Sequence, residues 1–312
     1  MKKYRIILAC LAMVFLIAGG CQKEQGNSER PAVTGSGIEP LATPTPTPTA
    51  TATPSPGPGV PVPEAYAGFR ITFLSTGKSD CIIIEDNGTV IMNDAADADD
   101  YSLIEDYLAE HAIEAIDCLI ISHFDKDHIG SASALINNGY VRSVLIPGYS
   151  DNSNAWKGLM VSLESSGISC TEVRDTMTFD IPDGKITVNP TAAAYYEDVN
   201  NYSLITTVFI GEKRILLTGD AMKKRIQEFI ESEDYLTEYD IIKSPHHGDY
   251  NKKLGDLIKR SSARYLVITN DPKDDRAEAD LVRTAQRCGA ELLYTREGNI
   301  VFEFENGDLV LR

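Results

Sequence analysis

Basic residues are scarce in this sequence. Its 312 residues include 29 lysines and arginines against 46 aspartates and glutamates, a net charge of −17 at pH 7. Only five basic and four acidic residues occur up to Tyr66, so 24 basic and 42 acidic side chains follow, a net charge of about −18. Such a surface lacks the excess of basic side chains that tight binding of duplex DNA or an anionic membrane requires. Bound cations can still reverse the sign of a local cleft.

Histidines are few, and the cysteines form no recognised metal motif. The chain has five histidines and six cysteines, and no two cysteines have the C-x-x-C spacing. A cysteine-based metal site is therefore not expected. Cys81 and Cys118 lie in apolar, strand-like runs, which predicts that both are buried thiols.

The N-terminus has the pattern of an export signal. Three basic residues precede an apolar core of about a dozen residues, 6–17, which is too short to span a membrane comfortably. Small residues then precede Cys21, and this ending resembles the lipobox of bacterial lipoproteins, although that pattern prefers leucine at the position of Ala18. We predict a signal peptide over residues 1–20 and a lipidated Cys21. The alternative is an ordinary secreted protein with a chance cysteine.

Residues 21–65 hold no plausible hydrophobic core. Nine of the fifteen prolines lie between positions 40 and 63. Proline fixes φ and removes a backbone donor, so this segment is expected to be an extended, semi-rigid spacer. The sequence therefore predicts a tether between Cys21 and a globular domain over residues 66–312, outside the cytoplasmic membrane.

Residues 66–312 alternate between short apolar runs and helical patterns. The run "IDCLIIS" is apolar throughout, which is typical of a strand covered on both faces. The segment "DDYSLIEDYLAEHA" has apolar residues at helical spacing, and Asn87-Gly88 is a hairpin signal. Hairpins mixed with strand–helix units over about 250 residues predict an α/β (α+β) fold with two sheets and helices outside.

Polar clusters follow four of the predicted strands. Asp94 follows "TVIMN", and His123 follows "CLIIS". Asp220 follows "ILLTG", and His246-His247 follow "DIIKSP". Loops at strand ends are where a rigid scaffold presents functional side chains. Imidazole nitrogens and carboxylate oxygens together form the ligand set of zinc and related divalent ions.

The densest cluster is "HFDKDH", residues 123–128. In an extended loop the alternate residues His123 and Asp125 can point the same way, and Asp127 and His128 can turn toward a second ion as a helix begins. A lone Asp-His pair is more often a turn or a cap. Crowding so many carboxylates and histidines without a cation raises desolvation and repulsion costs, so the combination favours a metal site.

Several motifs, taken in their order along the chain, resemble those of the metallo-β-lactamase superfamily. "SHFDKDHIG" is similar to its H-x-[HD]-x-D-H signature. An aspartate at the second position is common in the branch that contains the soluble hydrolase domain of ComEC-type DNA-uptake proteins. Further similar segments follow in the same order along residues 69–312: "FLSTGKSDCIII", "VIMNDAAD", "NNYSLITTVFIGEKRILLTGDA", "IIKSPHHGDY" and "ELLYTREGNIVFEF".

This resemblance implies a four-layer αβ/βα sandwich that holds two divalent ions, zinc or alternatively manganese, between the sheet edges. The implied metal ligands are His123, Asp125, Asp127, His128, Asp220 as a bridging carboxylate, and one or both of His246 and His247. The implied catalytic residues are Asp127, His246 and His247, because a histidine that is not a ligand is a candidate proton donor. Asp94 and Asp80 are implied to orient the ligands.

The sequence departs from that branch at several positions. Ser79 and Ala96 replace glycines of its "VGQGDS" and "DTG" motifs, and Asp249 replaces the serine of "HHGS". No histidine lies between His128 and His246. The predicted site is consequently rich in carboxylates.

Three functions are compatible with these residues. The first is a membrane-anchored, metal-dependent hydrolase, specifically a phosphodiesterase acting on extracellular nucleic acid or envelope phosphodiester polymers. The second is a lipoprotein that binds a metal or a partner without turnover, and retention of the ligand set argues against it. The third is a β-lactam or ester hydrolase on the same fold, which lacks its expected histidine pattern here.

Overall fold

The computed structural model describes residues 67–271 and 278–312. The predicted signal peptide, the lipidated Cys21 and the tether lie outside these residues. Within them, every helix is too short or too polar to cross a bilayer.

Fifteen strands occur in the described parts of the chain, and they form two sheets. They are β1 (Phe69–Phe73), β2 (Ile82–Asp86), β3 (Thr89–Asn93), β4 (Cys118–Ile120), β5 (Ser143–Pro147), β6 (Ser169–Val173), β7 (Met177–Ile181), β8 (Gly184–Asn189), β9 (Ile205–Ile210), β10 (Lys213–Leu217), β11 (Ile241–Lys243), β12 (Tyr265–Ile268), β13 (Glu291–Tyr294), β14 (Ile300–Glu305) and β15 (Asp308–Leu311). The first sheet has the order β15-β14-β1-β2-β3-β4-β5-β6. The second has the order β13-β12-β11-β10-β9-β8-β7.

Helices cover the outer face of each sheet. Those in the described ranges are α1 (Tyr101–Glu110), α2 (Lys126–Ile129), α3 (Ala132–Asn137), α4 (Asn154–Ser166), α5 (Lys223–Glu231), α6 (Lys252–Ser261) and α7 (Ala279–Cys288). Apolar side chains of α1, α3 and α4 pack on the first sheet, and those of α5, α6 and α7 pack on the second. The predicted sandwich of two sheets between helical layers is confirmed.

Alternation along the strands produces three apolar layers. In β2, Ile82 and Ile84 belong to the core between the two sheets, whereas Ile83 belongs to the core under the helices. Successive side chains of a strand point to opposite faces, so both faces of such a strand are buried. The predicted burial of Cys81 and Cys118 is confirmed.

Parallel strand pairs bring the polar clusters together. β3 pairs in parallel with β4 in the first sheet, and β10, β11 and β12 are parallel neighbours in the second. The carboxyl ends of parallel strands meet at one edge of a sheet. Asp94 and His123 therefore follow neighbouring strands of one sheet, and Asp220 and His247 follow neighbouring strands of the other.

A buried guanidinium fixes the loop before β9. Arg225 is 1% exposed. Its Nε donates to the carbonyl of Ser203 at 2.8 Å, and its Nη2 donates to the carbonyl and Oδ1 of Asn189, both at 2.8 Å. Burial lowers the pKa of Arg225 to about 10. Because Ser203 Oγ accepts the backbone N–H of Asp220 at 3.1 Å, this clamp reaches the polar edge of the second sheet.

Removing the clamp should destabilise the fold. We expect Arg225→Ala to lower the free energy of unfolding by about 3 kcal/mol, because two buried carbonyls lose their donor. Urea unfolding followed by circular dichroism measures the difference. Lys223→Ala, at an exposed position of the same helix, is the matched control and should change the value by less than about 0.5 kcal/mol. Equal stabilities of the two variants would contradict this account of the loop.

Candidate metal centre

His128 lies where the two sheets meet at their polar edges. Its Nδ1 is 2.9 Å from Oδ2 of Asp94, and its Nε2 is 3.2 Å from Oδ1 of Asp220. Asp94 is itself held by the backbone N–H and the hydroxyl of Ser122, both donating at 2.7 Å. A carboxylate on Nδ1 fixes the imidazole and directs Nε2 toward a metal.

Four side chains with metal-ligand chemistry converge at this point. One ligand atom each from Asp127, His128, Asp220 and His247 lies within 4.8 Å of the other three. Nε2 of His247 is 3.4 Å from Oδ2 of both Asp127 and Asp220. The buried Nε2 atoms of His128 and His247 make no hydrogen bond, only charge contacts with these carboxylates. Buried polar atoms without hydrogen bonds, beside two carboxylates, fit a divalent ion.

His123 and Asp125 form a pair beside this cluster. Nε2 of His123 is 3.6 Å from Oδ2 of Asp125, and its ring centroid is 4.2 Å from that of His128. The His123 side chain is fully buried, whereas that of Asp125 is 43% exposed. Nε2 of His123 also makes no hydrogen bond. The pair offers two ligand atoms for a second ion, and Asp125 is the more exposed of the two side chains.

The two adjacent histidines occupy different positions. Both have left-handed backbone angles, with φ of +48° for His246 and +54° for His247. This conformation is uncommon outside glycine, and such strain concentrates at functional sites. His247 faces inward, with Nδ1 3.0 Å from the carbonyl of Thr269 and Nε2 in the cluster. His246 lies at the rim, where Nε2 is 4.0 Å from Oδ2 of Asp220 and Nδ1 is 2.8 Å from Oδ2 of Asp249.

A buried lysine, which the sequence motifs did not identify, belongs to the site. Lys243 ends β11 and is fully buried. Its Nζ pairs with Asp80, donates to the carbonyl of Gly219 at 3.0 Å, and lies 3.4 Å from Oδ1 of Asp220. A lysine inside the otherwise apolar strand "DIIKS" was the available signal, since a charged residue is rarely buried without a partner.

Asp80 and Asp94 come near His128 in a second cluster, but protein groups already occupy their oxygens. Oδ1 of Asp80 accepts from the hydroxyl of Thr269 at 2.6 Å, and its other oxygen pairs with Lys243. Asp94 accepts from the neighbouring Ser hydroxyl and backbone, as described above. This arrangement fits the predicted orienting role of the two aspartates better than direct metal binding. The structure also adds Ser122 and Thr269 to the groups that orient the histidines.

Carboxylates in the site favour protonated histidines when no ion is bound. Burial lowers the pKa of His247, but Asp220 and Asp127 outweigh it and raise the pKa to about 9. Burial likewise lowers the pKa of His128, and three aspartates shift it well upward. Burial raises the pKa of Asp220, whereas the neighbouring histidines and Lys243 bring it well below its usual range. An incoming cation must therefore displace protons from this network.

Metal binding should release protons at neutral pH. The pKa of His247 lies above its ordinary value, so the ring is protonated at pH 7 and neutral only above about pH 9. We expect metal affinity to rise with pH across this window. The stability that His247 gives the metal-free protein is present below about pH 6.5 and is lost as pH rises toward 9. Titration calorimetry with zinc or manganese in buffers of different ionisation enthalpy counts the protons, and a count of zero at pH 7 would contradict the prediction.

The family comparison agrees with this geometry. The family model described as the metallo-beta-lactamase superfamily matches residues 74–268, which include the ends of β2 to β12 and all of the candidate metal ligands. ComE operon protein 3 of Bacillus subtilis (strain 168) is 26% identical over 204 residues, which cover 64% of this chain and 26% of that protein. This chain therefore spans about a quarter of the length of that relative.

Solved structures share the fold. The metallo-beta-lactamase fold protein YhfI from Bacillus subtilis matches with a TM-score of 0.52 and 15% identity, over 76% of this chain and 100% of YhfI. CmlA, a diiron beta-hydroxylase from Streptomyces venezuelae, matches with a TM-score of 0.52 and 14% identity, over 77% of this chain and 55% of CmlA. At such identities the likeness concerns the fold alone. From its family match and its two-sheet sandwich, the chain belongs to the metallo-beta-lactamase superfamily, whose members are generally metal-dependent hydrolases.

Proposed function

We propose that the protein is a metal-dependent phosphodiesterase. The observation that carries this proposal is the cluster of Asp127, His128, Asp220 and His247, in which two buried Nε2 atoms without hydrogen bonds face two carboxylates. The adjacent pair of His123 and Asp125 supports a second ion. Two-metal sites of this kind clamp the oxygens of a phosphodiester.

The ions, zinc or manganese, would be held by the four-residue cluster and by the His123–Asp125 pair. When bound, they would supply an activated water and neutralise the charge that develops on the phosphodiester. Around these ions the chain's own residues would orient the phosphodiester, accept the proton that the attacking water loses, and give a proton to the leaving oxygen.

His246 is the group placed to give that proton. Its side chain is 25% exposed at the rim, and the carboxylate of Asp249 contacts its Nδ1 at 2.8 Å. Nδ1 makes no hydrogen bond with this carboxylate, and Nε2 lies on the side of Asp220. We infer proton donation from the place of His246 at the rim, outside the four-residue cluster. Meanwhile Asp94 and Ser122 keep His128 in place during the reaction.

The similarity to ComE operon protein 3 and the motifs shared with the DNA-uptake branch support a phosphodiester substrate. The candidates are nucleic acid and phosphodiester-linked polymers of the cell envelope. The net charge of −17 argues against tight binding of duplex DNA. We further propose that the domain works outside the cytoplasmic membrane, anchored by a lipid on Cys21 and held away from the bilayer by the proline-rich tether.

Loss of Asp127 should abolish turnover. We expect Asp127→Ala to lower kcat/KM for bis-p-nitrophenyl phosphate by about 10³-fold or more, because a ligand and a site charge disappear together. Asp106→Ala, an exposed aspartate on α1, is the matched control and should retain the activity. Stoichiometric metal with no turnover of any phosphoester would instead favour a metal-binding lipoprotein. A protein that stays metal-free after supplementation with zinc or manganese would refute the metallohydrolase account.

The two adjacent histidines should respond differently to substitution. We expect His247→Gln to lower metal content, since Nε2 of His247 lies in the ligand cluster. We expect His246→Gln to keep the metal and to lower kcat by about 10²-fold or more, as for the loss of a general acid. Metal analysis beside steady-state kinetics separates the two effects. If His246→Gln loses the metal and His247→Gln keeps it, His246 is the metal ligand and His247 is the proton donor, which is the reverse of this assignment.

A further inference from the structure

A cavity of ≈ 470 Å³ lies between the loop that follows β5 and the loop that precedes β9. Its lining includes four tyrosines and two carboxylates: Tyr149, Tyr195, Tyr196, Tyr202, Asp151 and Glu197. Among the described residues, no lysine or arginine lines it. Tyr195 is 76% exposed and Val199 is 43% exposed, and both belong to its wall. Both side chains are open to a ligand that enters the cavity.

Two of these tyrosines are attached to the loops that carry the metal-site residues. The hydroxyl of Tyr149 accepts the backbone N–H of Phe124 at 2.8 Å, between His123 and Asp125 in sequence. Tyr202 directly precedes the serine that accepts the backbone N–H of Asp220. The rings of Tyr149 and Tyr202 stack with centroids 4.0 Å apart and an angle of 15°. The wall of the cavity is therefore joined to the loops that carry His123, Asp125 and Asp220.

The cavity carries negative charge. Burial raises the pKa of Asp151, but hydrogen bonds from Ser153 and the backbone outweigh it, so the net pKa is lowered and the carboxylate is ionised at neutral pH. Glu197 is exposed to solvent. Asp125 is near enough for its charge to act on the Tyr149 hydroxyl. A second phosphate group would be repelled here.

Basic side chains lie close to this cavity but do not line it. Lys223 and Lys224 share a neighbouring pocket with Glu197. The Arg174 side chain lies behind Gly148, and its guanidinium pairs with Glu172. Lys157 is exposed on α4, where water screens its interaction with Asp151. The cavity thus presents aromatic rings and carboxylates to whatever enters it.

We propose that this cavity binds an organic ammonium group carried by the phosphodiester substrate. The exposed ring of Tyr195 and the carboxylates of Asp151 and Glu197 attract a cation, and quaternary ammonium groups bind against aromatic rings. A nucleobase fits less well, because Tyr149 and Tyr202 already stack on each other and the flanking phosphates would meet carboxylates. The inference rests on the proposed phosphodiesterase function and narrows its substrate to a zwitterionic phosphodiester, such as one that carries choline or ethanolamine.

Ligand binding tests the cavity without requiring turnover. The purified chain is titrated with choline and with its uncharged isostere 3,3-dimethyl-1-butanol, and tyrosine fluorescence or NMR shifts report binding. We expect choline to bind about tenfold more tightly than the isostere. Tyr195→Ala and Glu197→Gln should each weaken choline binding by about threefold or more, whereas Tyr195→Phe keeps the ring and the affinity. Val161→Ala, at an exposed apolar position on α4, is the control and should change nothing. Equal affinities for choline and the isostere would overturn the proposal.

Turnover then separates this proposal from the proposed function. With the metal-loaded chain, the p-nitrophenyl phosphodiester of choline should show a kcat/KM about tenfold above that of 3,3-dimethylbutanol. Preferential choline binding without turnover of either ester would retain the cavity assignment and refute the phosphodiesterase. The p-nitrophenyl phosphodiester of thymidine, esterified at its 5′ oxygen, is a third substrate that represents a nucleic acid. If the choline and 3,3-dimethylbutanol esters are hydrolysed at equal rates, or if the thymidine ester is hydrolysed faster than the choline ester, the phosphodiesterase is retained and the ammonium site is overturned. The rate of hydrolysis of soluble glycerophosphocholine is then compared with that of phosphatidylcholine in vesicles. Faster hydrolysis of the soluble diester indicates a soluble or polymer-borne choline group, and faster hydrolysis of the vesicles indicates a lipid headgroup.

Discussion

The buried carboxylate of Asp220 connects the two halves of the site. One oxygen faces Nε2 of His128, from the first sheet, at 3.2 Å, and the other faces Nε2 of His247, from the second, at 3.4 Å. Nζ of the buried Lys243 lies 3.4 Å from Oδ1 of the same carboxylate. A buried carboxylate is costly unless it is paired, so the histidines, the lysine and a bound cation depend on one another. The charge balance between these aspartate, histidine and lysine side chains therefore determines which cation the cleft can bind.

The two-sheet architecture serves this constraint. Parallel strands from each sheet end at a common edge, and the apolar layers on both faces of each strand hold those ends rigid. Hydrogen bonds from the side of the site away from the cluster then orient the candidate ligands. Asp94, held by Ser122, contacts Nδ1 of His128, and Thr269 contacts Nδ1 of His247. The same loops extend outward to the tyrosine cavity, so substrate selection and metal binding share one backbone support.

Much of this site could be predicted from the sequence, because its ligand-type residues sit in short polar clusters directly after apolar strands. Thr269 could not, since a lone threonine has ordinary explanations and its contact with Asp80 spans 189 residues. Lys243 offered only the signal of a charged residue inside an apolar strand, which does not identify its partners. The division between His246 and His247 depends on two left-handed backbone angles that no spacing reveals. The sandwich followed from strand and helix patterns, whereas strands such as β6, in which four of five residues are exposed, carry too weak an apolar pattern to be recognised.

The central claim is that Asp127, His128, Asp220 and His247 hold a divalent ion. A crystal structure of the protein grown with manganese or zinc, with anomalous diffraction recorded at the metal edge, tests it most directly. The account predicts an anomalous peak inside this cluster, with the metal about 2.0–2.2 Å from the Nε2 atoms of both histidines if zinc is bound. Lys243 should keep its pairing with Asp80. A peak between Asp80 and Asp94 with Lys243 displaced, or no peak in a crystal that contains the metal, would contradict it.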